Sequence, residues 1–265
     1  MKIENLPKGL ATSGATRIWE RLKLISAGRI LDVATGNGDF IDTLMKALKN
    51  YDSFVGIDYS KKDVEVANKR FERQPVEIME MNAEAMEFEN CSYDTVSISF
   101  SLHHLSSIDK VLAEMKRVLK LGGYFIIQEP FCDGEQTEPQ KTDILQHHWD
   151  AEIDSSLGVT HNKTFTKQRI KDIVNNLKLE EVEVFESTRM VECLFCEDKF
   201  ECEDPKNEKT VNYCIKEIDD NLRRLEEHPD LKTRNHLKEE GEKLKERIKK
   251  IGSAEASHLL FIGKK

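Results

Sequence analysis

The sequence predicts an α/β chain. Helices cover both faces of a mostly parallel sheet of seven strands, the last strand is antiparallel, and a helical hairpin is inserted before it. Two observations carry this. Between Arg29 and Gln128, short β-rich runs alternate with helical periodicity, as in a doubly wound sheet. From about residue 205 to 251 the rhythm changes to two amphipathic runs joined at a proline, before a final apolar strand.

The elements follow in order. Arg29–Val33 reads as a buried strand, and Phe40, Leu44 and Leu48 then mark a helix. Ser53–Ile57 is the second strand, followed by a helical face of Val64, Ala67 and Phe71. Val76–Met79 and Thr95–Phe100 are the third and fourth strands. Ile108, Val111, Leu112, Met115, Val118 and Leu119 follow the i, i+3, i+4, i+7 spacing of an amphipathic helix. Ser106 with Asp109 resembles a capping pair, and Gly122-Gly123 is expected to end that helix. Tyr124–Gln128 is the fifth strand. Residues 138–156 read as helical. Thr166 is the expected N-cap of the next helix, with Phe165 and Ile170 as its staple. Val182 and Val184, alternating with Glu181 and Glu183, read as a half-exposed strand. Val211, Ile215, Ile218, Leu222 and Leu225 mark one arm of the hairpin. Beyond His228-Pro229, Leu237, Leu244, Ile248 and Ile251 mark the other, and Ala256–Ile262 is the closing strand.

Composition narrows the function. With 40 Lys+Arg against 49 Asp+Glu, the net charge of −9 disfavours a nucleic-acid partner, which needs a basic footprint. No apolar run approaches the length of a membrane span, and the start shows no apolar signal region, so a cytoplasmic protein is expected. The 6 cysteines are too sparse for a disulfide scaffold and are read as free thiols.

The chemistry centres on Asp32-Val-Ala34-Thr-Gly36-Asn37-Gly38-Asp39, between the first strand and its helix. Glycines there let a ligand approach the backbone, and the helix start offers unpaired N–H groups. Ile41 occupies the third-glycine position of the dinucleotide fingerprint, which weakens a nicotinamide reading. Asp32 suits a ligand with a cationic amino group, and Asp58, at the end of the second strand, suits a ribose diol.

At these residues the chain resembles the class I S-adenosylmethionine-dependent methyltransferases, which have a Rossmann-like fold. Asp32-x-x-x-Gly36-x-Gly38 looks like their first motif, Asp58 like their ribose acid, and Asn82-Ala83-Glu84 like their adenine-side turn. Tyr93–His104 and Val111–Gly123 are similar to later motifs of the same set, in register over about residues 29–130. Within the superfamily, Asn82-Ala-Glu-Ala and Ile98-Ser-Phe100 look closest to the ubiquinone/menaquinone-biosynthesis C-methyltransferases. The resemblance implies S-adenosyl-L-methionine as cofactor, held by Asp32, Ala34, Gly36, Asn37, Gly38, Asp58, Tyr59, Asn82, Ala83 and Ser99. Two departures set the quinone acceptor aside: His103-His104 stands where that branch has an Arg-Asn pair, and the hairpin has no counterpart there.

The implied reaction is in-line displacement at the sulfonium methyl, which asks the protein mainly for positioning. A base is needed only if the acceptor arrives protonated. His103 and His104, after the fourth strand, are the catalytic candidates, with surface or satisfied polar residues as the plainer reading. Glu129, His147, His148 and His161 are candidate substrate residues. Arg17 and Trp19 either cover the cofactor or simply pack. Cys193-x2-Cys196-x5-Cys202-x11-Cys214 lacks the paired CxxC of a zinc ribbon, and no metal site is assigned.

The expected organisation is a single methyltransferase domain over 1–265. It has an N-terminal cap at 1–28, a cofactor core at 29–130, a substrate cover at 131–178, terminal strands at 179–189 and 256–262, and the helical insertion at 205–251. The insertion is read as a cap on the sheet, with a lid or a homodimer contact as alternatives. The expected function is methyl transfer to a small molecule. The alternatives are a non-catalytic S-adenosylmethionine-binding or metal-sensing protein using Cys193–Cys214, and a methyltransferase for a thiol or metalloid acceptor.

Overall fold

The computed structural model describes residues 14–188 and 204–265. Cys193, Cys196 and Cys202 lie outside these, as do the first thirteen residues of the expected N-terminal cap. The chain separates into two compact units, where the sequence suggested one domain with an insertion. The first is Met1–Glu129, Gln168–Leu194 and His258–Lys265, and the second is Pro130–Lys167 and Phe195–Ser257.

The first unit is built on a seven-stranded sheet of order β3-β2-β1-β4-β5-β7-β6. The strands are β1 (Arg29–Val33), β2 (Ser53–Asp58), β3 (Val76–Glu80), β4 (Tyr93–Ser99), β5 (Leu119–Pro130), β6 (Glu180–Ser187) and β7 (His258–Lys264). Strands β1 to β5 pair in parallel, and β7 runs antiparallel to β6. β1 lies between β2 and β4, and Ile30, Leu31 and Val33 are fully enclosed, which is why apolar residues stand on both of its faces around Asp32. The helices of this unit are α1 (Gly14–Leu22), α2 (Asp39–Ala47), α3 (Lys61–Arg70), α4 (Ile108–Val118) and α6 (Lys167–Asn176).

Four details differ from the sequence reading. α4 stops at Val118, and Leu119 already begins β5, so Gly122-Gly123 lies inside a strand rather than ending a helix. Ser107, not Ser106, is the N-cap, because the Ser106 hydroxyl donates to Glu84 instead. β7 begins at His258, two residues later than expected. Val182 and Val184 are 40% and 45% exposed, so on this edge strand the valines face outward, while Glu183 accepts from Arg21 at 2.6 Å. α1 is a packing element. Trp19 is buried, and the Arg17 guanidinium lies over the Phe185 ring.

The second unit is a helical bundle of α5 (Glu138–Ser156), α7 (Glu208–Arg224) and α8 (Leu231–Ile251). α5 starts on a capping box: the Thr137 N–H donates to Gln140 Oε1 at 2.9 Å and the Gln140 N–H donates back to Thr137 Oγ1 at 3.4 Å. The two seams of the hairpin close on each other and on α5. Trp149 and Ile153 from α5 join Cys214, Ile218, Leu225, Leu237, Leu244 and Ile248 in one core. Trp149 also donates its indole N–H to the Leu237 carbonyl at 2.8 Å. Gly241 on α8 makes room for that ring, since a β-carbon there would lie 2.6 Å from Trp149 Cζ2. The hairpin expected to cap the sheet therefore has a core of its own. Among the described residues, no helix is long and apolar enough to cross a membrane.

Candidate functional site

Strand order in the first unit reverses between β1 and β4, and in doubly wound sheets ligands settle beyond the carboxyl ends of the strands at such a point. The Asp32–Asp39 loop leaves β1 there. Asp32 is only 1% exposed, and its two oxygens accept hydrogen bonds from Thr35 Oγ1 at 2.7 Å and Ser97 Oγ at 2.6 Å. Burial pushes its carboxyl up to about 6, with the two hydroxyls opposing only part of that rise. Asp32 thus braces the loop from below and ties it to β4.

Above this brace, Asp58 at the end of β2 is aimed by two backbone amides. Gly36 N–H donates to Oδ2 and Ser60 N–H donates to Oδ1, each at 2.8 Å. The loop glycines have different duties. A methyl group built on Gly36 would meet nothing within 4 Å, so the backbone there faces open space. One built on Gly38, which sits at φ 90° as the N-cap of α2, would come within 2.3 Å of the Phe71 ring. Ala34 and Phe100 hold φ of 54° and 50°, left-handed values costly for residues with a β-carbon. They follow β1 and β4, and strained residues of this kind gather at ligand sites.

The other expected cofactor positions frame the same region. Tyr59 is 82% exposed beside Asp58. Asn37 is exposed on the loop, and Ala83 is half-buried in the turn after β3. Asn82 accepts the Glu84 N–H at 2.9 Å, and Glu84 in turn accepts from Ser106 and Lys110 at the start of α4. Ser99 is half-buried at the end of β4, and its carbonyl accepts from Ser101 Oγ at 2.7 Å. Sequence reasoning missed Thr35, Ser97 and Ser101. The available signal was a set of polar residues inside otherwise apolar strand ends.

The structure joins two candidates that the sequence kept apart. His103 lies in a short 3-10 turn (Leu102–His104) after β4, and Glu129 stands near the end of β5. His103 Nδ1 and Glu129 Oε1 are 2.5 Å apart, with side chains 2% and 0% exposed. The second Glu129 oxygen accepts the Leu102 N–H at 3.2 Å. This carboxylate holds the imidazole with Nδ1 toward it and Nε2 away, the orientation a general base requires. His104 is exposed, its ring centroid 4.3 Å from that of His103. A further residue escaped the sequence reading. His258 starts β7 fully buried beside the Phe100 ring, and neither of its ring nitrogens has a partner. Burial pushes it down to about 4, so it is neutral at physiological pH.

The remaining histidine candidates belong to the second unit. His147 and His161 come together there, His161 also engaging Asp154, whereas His148 on the same helix is lowered by burial first and by Lys163 next. For Asp154, burial works to raise the carboxyl, but hydrogen bonds from His161 and Arg224 outweigh it and hold the group below its usual range. Cys214 is buried, Cys132 half-buried and Cys91 exposed, all as free thiols.

Comparison with known proteins places this geometry. A family described as "Methyltransferase domain" matches residues 31–127. The ubiquinone/menaquinone biosynthesis C-methyltransferase UbiE of Geotalea uraniireducens is 33% identical over 129 residues, 45% of this chain and 55% of that protein. The demethylmenaquinone methyltransferase of Renibacterium salmoninarum is 35% identical over 121 residues, 44% of this chain and 49% of that one. The chain thus spans about half the length of the curated relatives it matches. Among solved structures, phosphoethanolamine N-methyltransferase 2 of Haemonchus contortus, with phosphomonomethylethanolamine and S-adenosylhomocysteine, aligns at TM-score 0.54 and 18% identity, covering 95% of this chain and 52% of that one. The [4+2]-cyclase SpnF aligns at TM-score 0.56 and 14% identity, covering 98% and 84%. At such identities the likeness speaks for the fold, and a cyclase on the same fold shows that architecture alone does not set the reaction.

Proposed function

Because the core of this chain is a class I S-adenosylmethionine-dependent methyltransferase domain, we propose that the protein transfers the methyl group of S-adenosyl-L-methionine to a small-molecule acceptor. The observation that carries this reading is the cradle at Gly36 and Asp58: a bare backbone facing open space beside a carboxylate aimed by two amides. The donor set fits the cofactor. Asp58 keeps lone pairs for two ribose hydroxyls, and Asn37, Tyr59, Asn82 and Ala83 frame the nucleoside. Ala34, Gly36, Gly38 and Ser99 supply backbone around the methionine portion. Asp32, the carboxylate nearest the loop base, favours its amino group through the turn it braces.

The cofactor brings an activated sulfonium methyl, so the chain's own work is to orient the acceptor in line and exclude water. Where the acceptor atom arrives protonated, His103 takes the proton on Nε2, and Glu129 stabilises the resulting imidazolium from the Nδ1 side. His104, next to His103 in the first unit, is the second catalytic candidate. The net charge of −9 supports a small molecule over a nucleic acid. The quinone chemistry in the relatives' names comes from proteins whose match covers about 45% of this chain, so the acceptor is not assigned to that class. A homodimer through the hairpin is part of the proposal only if its outer face pairs, because its inner seams are already filled.

The test is calorimetric titration with S-adenosylhomocysteine, followed by a labelled-methyl assay over a metabolite panel. Asp58→Ala is expected to abolish binding while far-UV circular dichroism stays unchanged. Unchanged affinity would remove Asp58 from the site.

A further inference from the structure

In the second unit, α5 and α8 are pressed together along one seam. Gly241 on α8 makes room for the Trp149 ring, and the Trp149 indole N–H ties to the Leu237 carbonyl at 2.8 Å. The start of α8 is fixed as well. Asp230 Oδ2 accepts the Thr233 N–H at 2.9 Å, and Arg234 Nη1 donates to the Glu226 carbonyl at 2.9 Å. Side chains beside this seam are therefore carried on a set backbone. Glu152 lies three residues after Trp149 on α5, and His236 and Glu240 each lie one residue before Leu237 and Gly241 on α8. Residues four apart on a helix share a face, so the imidazole and the carboxylate of α8 stand together. One ligand atom from each of the three side chains, an imidazole nitrogen and two carboxylate oxygens, lies within 4.8 Å of the other two.

The contacts these groups make do not account for the grouping. His236 Nε2 stands 3.9 Å from Glu240 Oε2, beyond hydrogen-bond reach. Glu152 and Glu240 bring two like charges close, which is unfavourable unless a cation offsets them. The Lys163 ammonium pairs with Glu152 Oε1, but the two side chains are 53% and 39% exposed. An ion pair so open to water holds weakly, and a divalent ion displaces the ammonium at little cost. A tetrahedral ion with bonds of about 2.0–2.2 Å sets its ligands about 3.3–3.6 Å apart, a spacing these exposed side chains reach by rotation. Glu152 and His236 also line an open pocket of ≈ 420 Å³ with Ser155, Lys163, Thr233 and Leu237, which gives a hydrated ion a way in.

We propose that Glu152, His236 and Glu240 bind a divalent first-row transition metal, with Zn²⁺ as the fitting ion, and that the ion staples α5 to α8. One imidazole and two carboxylates make a mixed nitrogen–oxygen donor set. That set suits Zn²⁺ or Co²⁺ better than Ca²⁺ or Mg²⁺, which favour shells of oxygen alone. Water or a donor atom of a small molecule completes the shell. An ion held only by the folded unit stabilises that unit. The inference does not rest on methyl transfer, because no residue of the first unit takes part.

The experiment uses the full chain with Cys193, Cys196 and Cys202 changed to Ser, which removes competing thiols. Zn²⁺ is titrated against a chromophoric chelator, and X-ray absorption reads the shell of the bound ion. One equivalent is expected, with a single imidazole among oxygen ligands. His236→Ala should lose it. Glu152→Gln and Glu240→Gln should each weaken it at least about 10-fold, since even the outer supports of a metal ligand are worth about 10–100-fold. Lys163→Ala should tighten it about 2–5-fold by removing the competing ammonium. All four side chains are well exposed, so the variants are expected to fold, which far-UV circular dichroism checks. The absorption readout on the parent protein holds whether or not they do. No bound equivalent, retention by folded His236→Ala, unchanged affinity in both Gln variants, no tightening in Lys163→Ala, or a shell with two or more imidazoles or a sulfur would each overturn the assignment.

Discussion

Asp150 on α5 offers a direct test of the electrostatics of the second unit. Its carboxylate lies against α7, where Asn221 Nδ2 donates to Oδ1 at 2.6 Å. Burial raises it first. The Asn221 hydrogen bond works against that rise, Glu217 and Asp154 add to it, Arg224 opposes it, and the net position is about 7. A folded-state value above the unfolded one, about 3.9, means that the folded chain holds the proton more tightly. The stability contributed by the protonated form is therefore complete below pH ~4, declines as pH rises, and is gone above pH ~7. Asp150→Asn removes the titration, keeps an oxygen for Asn221, and turns an amide toward the neighbouring carboxylates. The shift implies at most about 4 kcal/mol of relative stabilisation at pH 8 and under half of that at pH 5. Solvent reaching the partly exposed carboxylate reduces the pH 8 figure to about 2 kcal/mol. The assay is urea unfolding followed by Trp149 fluorescence in a Trp19→Phe background, with Asp150→Asn compared to its parent at pH 5 and pH 8. A gain of equal size at both pH values, or a loss at pH 8, would refute the reasoning.

Two further outcomes are expected. Gly241→Ala gains about 1 kcal/mol of helix propensity but drives a methyl group against Trp149. The net is a loss of about 1–2 kcal/mol, seen as a lower thermal midpoint, and a higher midpoint would mean that the ring yields freely. Glu129→Gln leaves S-adenosylhomocysteine affinity unchanged and lowers kcat by about 10²-fold if the acceptor is protonated, because an amide no longer stabilises the imidazolium from the Nδ1 side. An unaltered kcat with a protonated acceptor would leave the pair a purely structural role.

The strands of the cofactor core were legible because each is a local pattern. Arg29–Val33 encloses Ile30, Leu31 and Val33, and Ser53–Ile57 encloses Phe54, Val55 and Ile57, the apolar run that a strand buried on both faces requires. The helix stop at Gly122-Gly123 was misread for a physical reason: Leu119, which completes the apolar spacing of α4, serves equally well as the first residue of a strand. Side-chain pairings were not legible. His103 and Glu129 are 26 positions apart, and nothing in the spacing says that β4 and β5 end side by side with the two groups within hydrogen-bond reach. Asp32 shows the reverse case. Its identity was visible, but its enclosure between Thr35 and Ser97 follows from the pairing of β1 with β4. His258 sat unmarked in a run that reads simply as a closing apolar strand.

The core of the second unit is assembled from two stretches of chain that a length of the first unit interrupts. Trp149 and Ile153 come from the stretch before that interruption, and Ile218, Leu237 and Ile248 from the stretch after it. The unit is therefore not modular in the sense of a cassette. Cutting out residues 205–251 would not leave a trimmed catalytic core, because α5 would be left with a bare tryptophan and isoleucine. Grafting the hairpin alone onto a relative would carry half of a packing solution. Any lineage or engineer altering this part of the molecule has to move α5 and the hairpin together, so the two segments are expected to change as one heritable block.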